Sequence, residues 1–147
     1  MNSREVLQYL LRIKSHTVGV YPADRVPLLW AKPCAFVLNT QNYNQHGAHW
    51  VAIYVDKYGT GTYFDSLGKP PQIPEHLRRM QKNCKKFRWN NKRLQSDYSN
   101  VCGHYCIMFL YYMSTGSGLT SFLKIFSQNL QKNDTLARNF VEEVCKV

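Results

Sequence analysis

His49, Asp65, Gln95 and Cys102 occur in an order that can carry out nucleophilic chemistry. A cysteine within reach of a histidine forms a thiolate and imidazolium before substrate arrives, and an acid bonded to the far ring nitrogen fixes the tautomer. The remaining need is a donor for the oxyanion. The backbone N–H of Cys102 supplies one and the Gln95 carboxamide a second; losing such a donor costs roughly 10² to 10³ in rate. His104, two positions beyond Cys102, would point to nearly the opposite side of a helix and makes a poor alternative base.

Each residue needs an element to hold it. Cys102 and Gly103 end a polar loop rich in Ser, Asp and Asn and open a run, residues 105–113, of nine consecutive apolar or aromatic residues. Such a run is too short to cross a bilayer but suits a core helix buried on most sides, with the polar loop as its cap. At the N-terminus of that helix, unpaired N–H groups and the helix dipole favour an anion, which lowers a thiol pKa from about 8.5 toward neutrality. Free cysteines are more often packing than chemistry, and Cys106 and Cys145, set among apolar neighbours, are read that way. Residues 49–56 (HWVAIYVD) are apolar on both faces and predict a central strand; residues 57–61 (KYGTG) predict a turn, and residues 62–65 an antiparallel return. That hairpin carries Asp65 back toward the end of the sheet where His49 begins.

Elsewhere, Ser3 is placed as the cap of a first helix to about residue 14, with Val6, Leu7, Leu10 and Leu11 as its apolar stripe. Residues 17–30 predict a short strand and irregular chain, residues 34–39 (CAFVLN) a strand, and residues 40–48 a polar loop. Three prolines break residues 68–74. A short helix follows over 75–82, then a basic, edge-like strand over 86–94. Beyond the central helix two closing amphipathic helices are expected, the second capped by Asp134.

With 147 residues, 44% hydrophobic and 14% aromatic, the chain is expected to fold as a single domain over 1–147. Five cysteines at irregular spacing, without an apolar leader, suggest a reducing, intracellular setting and no disulfide framework. The formal charge of +10 is concentrated in Arg78, Arg79, Lys82, Lys85, Lys86, Arg88, Lys92 and Arg93, with no acidic residue among them. Most charge runs are solvated faces, but this one interleaves Phe87 and Trp89 and matches what a polyanion needs: cations for phosphates and rings for stacking.

The segments GAHWVAIYV, TYFDSLG and QSDYSNVCGHYCIMFLYY resemble the adenovirus protease (adenain) family, whose wider relatives are the SUMO- and ubiquitin-like-protein proteases. The shared pattern is His49-Trp50 opening a strand, Asp65 in Phe64-Asp65-Ser66-Leu67-Gly68, then Gln95 and Cys102-Gly103, and the likeness spans roughly residues 17–113. It implies an α+β fold in which a mixed central sheet packs against a buried central helix bearing the nucleophile, with flanking helices. It also implies a cysteine endopeptidase in which Cys102 is nucleophile, His49 base, Asp65 orienting acid and Gln95 oxyanion donor. Trp50 and Gly103 would bind substrate in a narrow channel selecting small residues, commonly Gly. Further implications are capsid or core precursors as substrates in a virus particle, stimulation by DNA, and a short peptide cofactor linked through a cysteine for which Cys84 stands at a corresponding place. No metal or other cofactor is required for the chemistry, and a monomer without membrane contact is expected. Here the acid is Asp where adenain has Glu, and the chain beyond the central helix is shorter.

Three other readings compete. His46, His49, Cys102 and Cys106 form a candidate zinc set, which leaves Gln95 unexplained. A non-enzymatic nucleic-acid module would leave the order His, Asp, Gln, Cys an accident. A host-acting protease removing ubiquitin-like modifiers would need a broad apolar docking surface.

Overall fold

In a computed structural model, which describes residues 1–41, 49–97 and 99–145, two strongly apolar segments form inner strands of one sheet. The strands β1 (Thr17–Tyr21), β2 (Cys34–Asn39), β3 (Trp50–Val55), β4 (Thr60–Phe64) and β5 (Lys86–Trp89) are hydrogen-bonded in that spatial order. β2 and β3 are inner strands because their alternate side chains are apolar on both faces, and every residue of β2 is buried. β3 pairs antiparallel with β2 and β4, whereas the outer pairs β1/β2 and β4/β5 are parallel. The second parallel pair requires a crossover, supplied by α2 (Pro74–Asn83).

Two cores follow from the period of two. Ala35, Val37, Ala52, Tyr54 and Phe64 face α3 (Cys102–Ser114), while Phe36, Leu38, Val51, Ile53 and Tyr63 face Trp30, Val26 and Met80 on the other side. Nine of the thirteen residues of α3 are buried, which is why its sequence shows no polar stripe. Phe64 stacks on Phe109 at 4.6 Å between ring centroids, and Phe122 of α4 (Leu119–Leu123) meets both rings edge-on. The helix stops where Gly116, at φ +94°, takes the left-handed conformation and its N–H bonds the carbonyl of Met113. This is the expected α+β arrangement, a mixed sheet against a buried central helix. Among the described residues no helix is long and apolar enough to cross a membrane.

Several local expectations are corrected. The first helix, α1, covers Ser3–Leu10, and its cap is Asn2, whose side chain accepts from the N–H of Glu5 at 2.9 Å; Leu11 lies beyond it and is exposed. α3 has Val101 at its N-cap position, so no side chain of the polar loop caps it. Asp134 is not a cap either. α5 runs Leu130–Asn139 from Asn129, and the chain continues as a π-helical turn, Phe140–Val144. Asp134 is instead buried, accepting from Tyr105 Oη at 2.8 Å and Ser96 Oγ at 2.7 Å. β5 is shorter than expected, because Asn90 turns inward to bond the carbonyl of Asp65, just after β4.

Candidate active site

Cys102 is the first residue of α3, whose N-terminus no side chain caps. His49 directly precedes β3, and Asp65 directly follows β4. The register Ala52 with Phe64 brings those two ends level, so His49 Nε2 meets Asp65 Oδ1 at 2.8 Å. With Nε2 so engaged, Nδ1 is the ring nitrogen left for a second partner, and the imidazole and the Cys102 thiol are close enough for each to shift the other's pKa.

Electrostatics follow the geometry. Burial of His49 opposes its protonation, but hydrogen bonds to Asp65 and Cys102 outweigh it and raise its pKa to about 9. Burial likewise opposes ionisation of Cys102, yet the hydrogen bond from His49, with those from the Trp50 and Gly103 backbone, brings the thiol below its ordinary value. The remaining thiols behave oppositely. Burial holds Cys106 well above the usual thiol range and pushes Cys145 up to about 11, as expected of packing residues.

Asp65 is fixed from three sides. Its Oδ1 accepts from the N–H of Leu67 at 2.9 Å, its own N–H donates to Asn90 Oδ1, and its carbonyl accepts from Asn90 Nδ2 at 2.7 Å. The turn closes at Gly68, whose φ is +78° and where a Cβ would lie 2.8 Å from the backbone nitrogen of Arg93. Gln95 is buried beside the thiol. Its Oε1 accepts from Ser66 Oγ at 2.5 Å, and its Nε2 donates to the carbonyl and hydroxyl oxygens of Ser99 at 3.1 and 2.9 Å.

A cleft of about 400 Å³ joins these groups, with Trp50, Met1 and Leu67 on its walls and Cys102 and Gln95 lining it. Gly103 lies beneath Trp50 and Met1: a Cβ there would stand 3.4 Å from the indole and 3.5 Å from the Met1 side chain. Sequence reasoning missed Met1, Ser66, Asn90 and Ser99. Nothing in their types marks them, although Ser66 lies inside the Phe64–Gly68 motif.

The other candidates are dispersed. Arg78 and Arg79 both pair with Glu75, Arg93 pairs with Asp97, and Lys92 Nζ donates to the Leu123 carbonyl. Lys82, Lys85, Lys86 and Arg88 are exposed, with Trp89 beside them on the edge strand. Cys84 ends α2, where Gly61 makes room for its sulfur, and burial pushes its thiol up to about 11. Of the candidate zinc set, His46 lies outside the described residues and Cys106 is fully buried in the core; among the described residues no group of three His, Cys, Asp or Glu could hold a metal ion.

A thiol opening a buried helix, an imidazole leading a central strand and a carboxylate ending its hairpin partner thus meet at one end of a mixed sheet in an α+β fold. No protein-family model matches the chain. It is 33% identical over 92 residues, 56% of its own length, to a protein of Acanthamoeba polyphaga mimivirus named "Putative thiol protease R355". It covers 30% of that protein. Its fold matches ChlaDub1 from Chlamydia trachomatis at a TM-score of 0.58 and 17% identity, covering 76% of this chain and 60% of that one. The ASFV pS273R protease superposes more loosely, at a TM-score of 0.46 and 25% identity over 74% of this chain and 45% of that one.

Proposed function

We propose that this chain is a cysteine endopeptidase in which Cys102, His49 and Asp65 act together and Gln95 supplies an oxyanion donor. The observation that carries the reading is the 2.8 Å bond from the His49 ring to Asp65 at the cleft that His49, Cys102 and Gln95 line together; the lowered pKa of the thiol agrees with it. The thiolate attacks the carbonyl carbon of the scissile peptide, forming a C–S bond as the π pair moves onto oxygen. That oxygen is met by the Cys102 N–H at the helix start, and by Gln95 Nε2 once it exchanges the Ser99 hydroxyl for the oxyanion. Collapse breaks the C–N bond, and the leaving amine takes the proton of the His49 imidazolium. Water, deprotonated by the now neutral His49, then hydrolyses the thioester and frees the thiol.

The cleft supports a substrate preference. Trp50 and Met1 standing over Gly103 leave a narrow passage beside the sulfur, suited to a small residue such as Gly before the scissile bond. Viral or virus-like structural precursors are the proposed substrates, in keeping with the family resemblance and with the viral source of the relative. DNA is a proposed activator, through exposed Lys82, Lys85, Lys86 and Arg88. A peptide cofactor joined at Cys84 would first have to lift that thiol from its seat over Gly61; retained activation in Cys84→Ser would remove this part of the proposal.

The decisive test is cleavage of Gly-containing peptides by the intact chain and by Cys102→Ala, with and without chelator. Hydrolysis lost in the variant and indifferent to chelator is expected. Activity that survives Cys102→Ala, or that a chelator abolishes, would end the reading.

A further inference from the structure

Ser66 follows the proposed orienting acid in sequence but reaches across to a different part of the site. It is fully buried, and it grips residue 95 at both main chain and side chain. Its carbonyl accepts from the N–H groups of Leu94 and Gln95 at 2.9 and 3.0 Å, and its hydroxyl lies 2.5 Å from Gln95 Oε1. A carboxamide can sit in two orientations that exchange its oxygen and its NH₂ group, and only one offers donors to an oxyanion. The Ser99 carbonyl, 3.1 Å from the other end of the amide, is an acceptor only, so it requires the NH₂ group on its side. The hydroxyl of Ser66 must then donate to Oε1. Without it, that oxygen would be buried with no donor, and the amide would leave its seat.

We propose that Ser66 is a positioning residue for the oxyanion site, holding the Gln95 carboxamide so that its NH₂ group faces the reacting carbonyl. The proposal rests on the peptidase reading and adds a coupling between the Asp65 turn and the oxyanion donor. One turn then serves two ends of the reaction: Asp65 aligns the imidazole, and its neighbour aligns the amide.

The test compares Ser66→Ala, Gln95→Ala and the double variant in peptide hydrolysis and in alkylation of Cys102 by iodoacetamide. Alkylation is a displacement at an sp³ carbon and forms no oxyanion, so it reports the thiolate alone. Expected for Ser66→Ala is a kcat lower by about tenfold or more with KM little changed, by the scale of oxyanion-donor losses, and an unaltered alkylation rate. In the Gln95→Ala background the same change should add less than about twofold, the non-additivity of groups acting as a unit. Should Ser66→Ala fail to fold, Ser66→Cys keeps the volume with a weaker donor and must still lower kcat selectively. Unchanged kcat, full additivity with Gln95→Ala, or a parallel fall in alkylation would each overturn the proposal while leaving the peptidase reading intact. Wild-type protein without Cys102-dependent hydrolysis would overturn both.

Discussion

At the scale of single residues, the proposed hydrolysis turns on the proton of His49 between Asp65 and Cys102. The imidazolium must survive until the amine leaves, and with its pKa raised to about 9 it does so throughout the neutral range. As pH rises through that value the proton is lost, so kcat/KM is expected to fall on the alkaline side near pH 9. The acid limb follows Cys102, whose pKa is lowered, and lies below the range of an ordinary thiol. Asp65→Asn removes the carboxylate that supports His49 through hydrogen bond and charge. The alkaline limb of that variant should move down by about one pH unit or more, with kcat reduced at least tenfold; a pH profile of kcat/KM checks both, and an unmoved limb would mean that Asp65 does not act through the ring.

At the scale of elements, two buried polar side chains have opposite standing. Asn90 bonds both the N–H and the carbonyl of Asp65, so it ties the end of β5 to the turn that holds the acid. Asn90→Ala would strand the buried N–H of Asp65, while the Asp65 carbonyl keeps the Gly68 N–H; the cost, about 1–3 kcal/mol, would be seen as a lower Tm together with a lower kcat. His76 of α2 is completely buried, and neither ring nitrogen has a hydrogen-bond partner. Burial lowers its pKa from 6.5 to about 4, with Glu75 opposing slightly. Between those two pH values the unfolded chain takes up a proton that the folded chain refuses. Stability contributed by neutral His76 is therefore present above pH 6.5 and lost as pH falls toward 4, by up to roughly 3 kcal/mol. Denaturant unfolding at pH 7 and pH 4.5 should show that loss, and His76→Leu should reduce it.

For the whole molecule, the charge of +10 is a matter of association rather than of fold. Of the eight basic residues in the 78–93 segment, the arginines at 78, 79 and 93 are tied to carboxylates, while Lys82, Lys85, Lys86 and Arg88 stand exposed beside the edge strand. If these four meet DNA, binding should weaken as salt rises, and replacing all four with Gln should lower the slope of log K against log salt by up to about four. Equal affinity and equal slope in wild type and variant would return the strip to a solvated face.

What could be read along the chain was whatever local pattern dictates. β2 was legible to the residue because an apolar hexamer bounded by polar chain has few alternatives. α3 was legible because nine apolar residues in a row must be buried, and the order His49, Asp65, Gln95, Cys102 was legible because few other functions need those types in that order. Other features depend on contacts between distant segments. Parallel pairing at both edges of the sheet, Asp134 as a buried acceptor for Tyr105 and Ser96, and the hold of Asn90 on Asp65 each join residues 15 or more positions apart. Neither propensity nor period encodes such contacts. Residue types alone determined which groups were capable of the proposed reaction. Only the folded chain decided that His49 and Asp65 stand 2.8 Å apart and that the Gln95 amide is gripped from both ends, because distances between strand ends are set by register and packing.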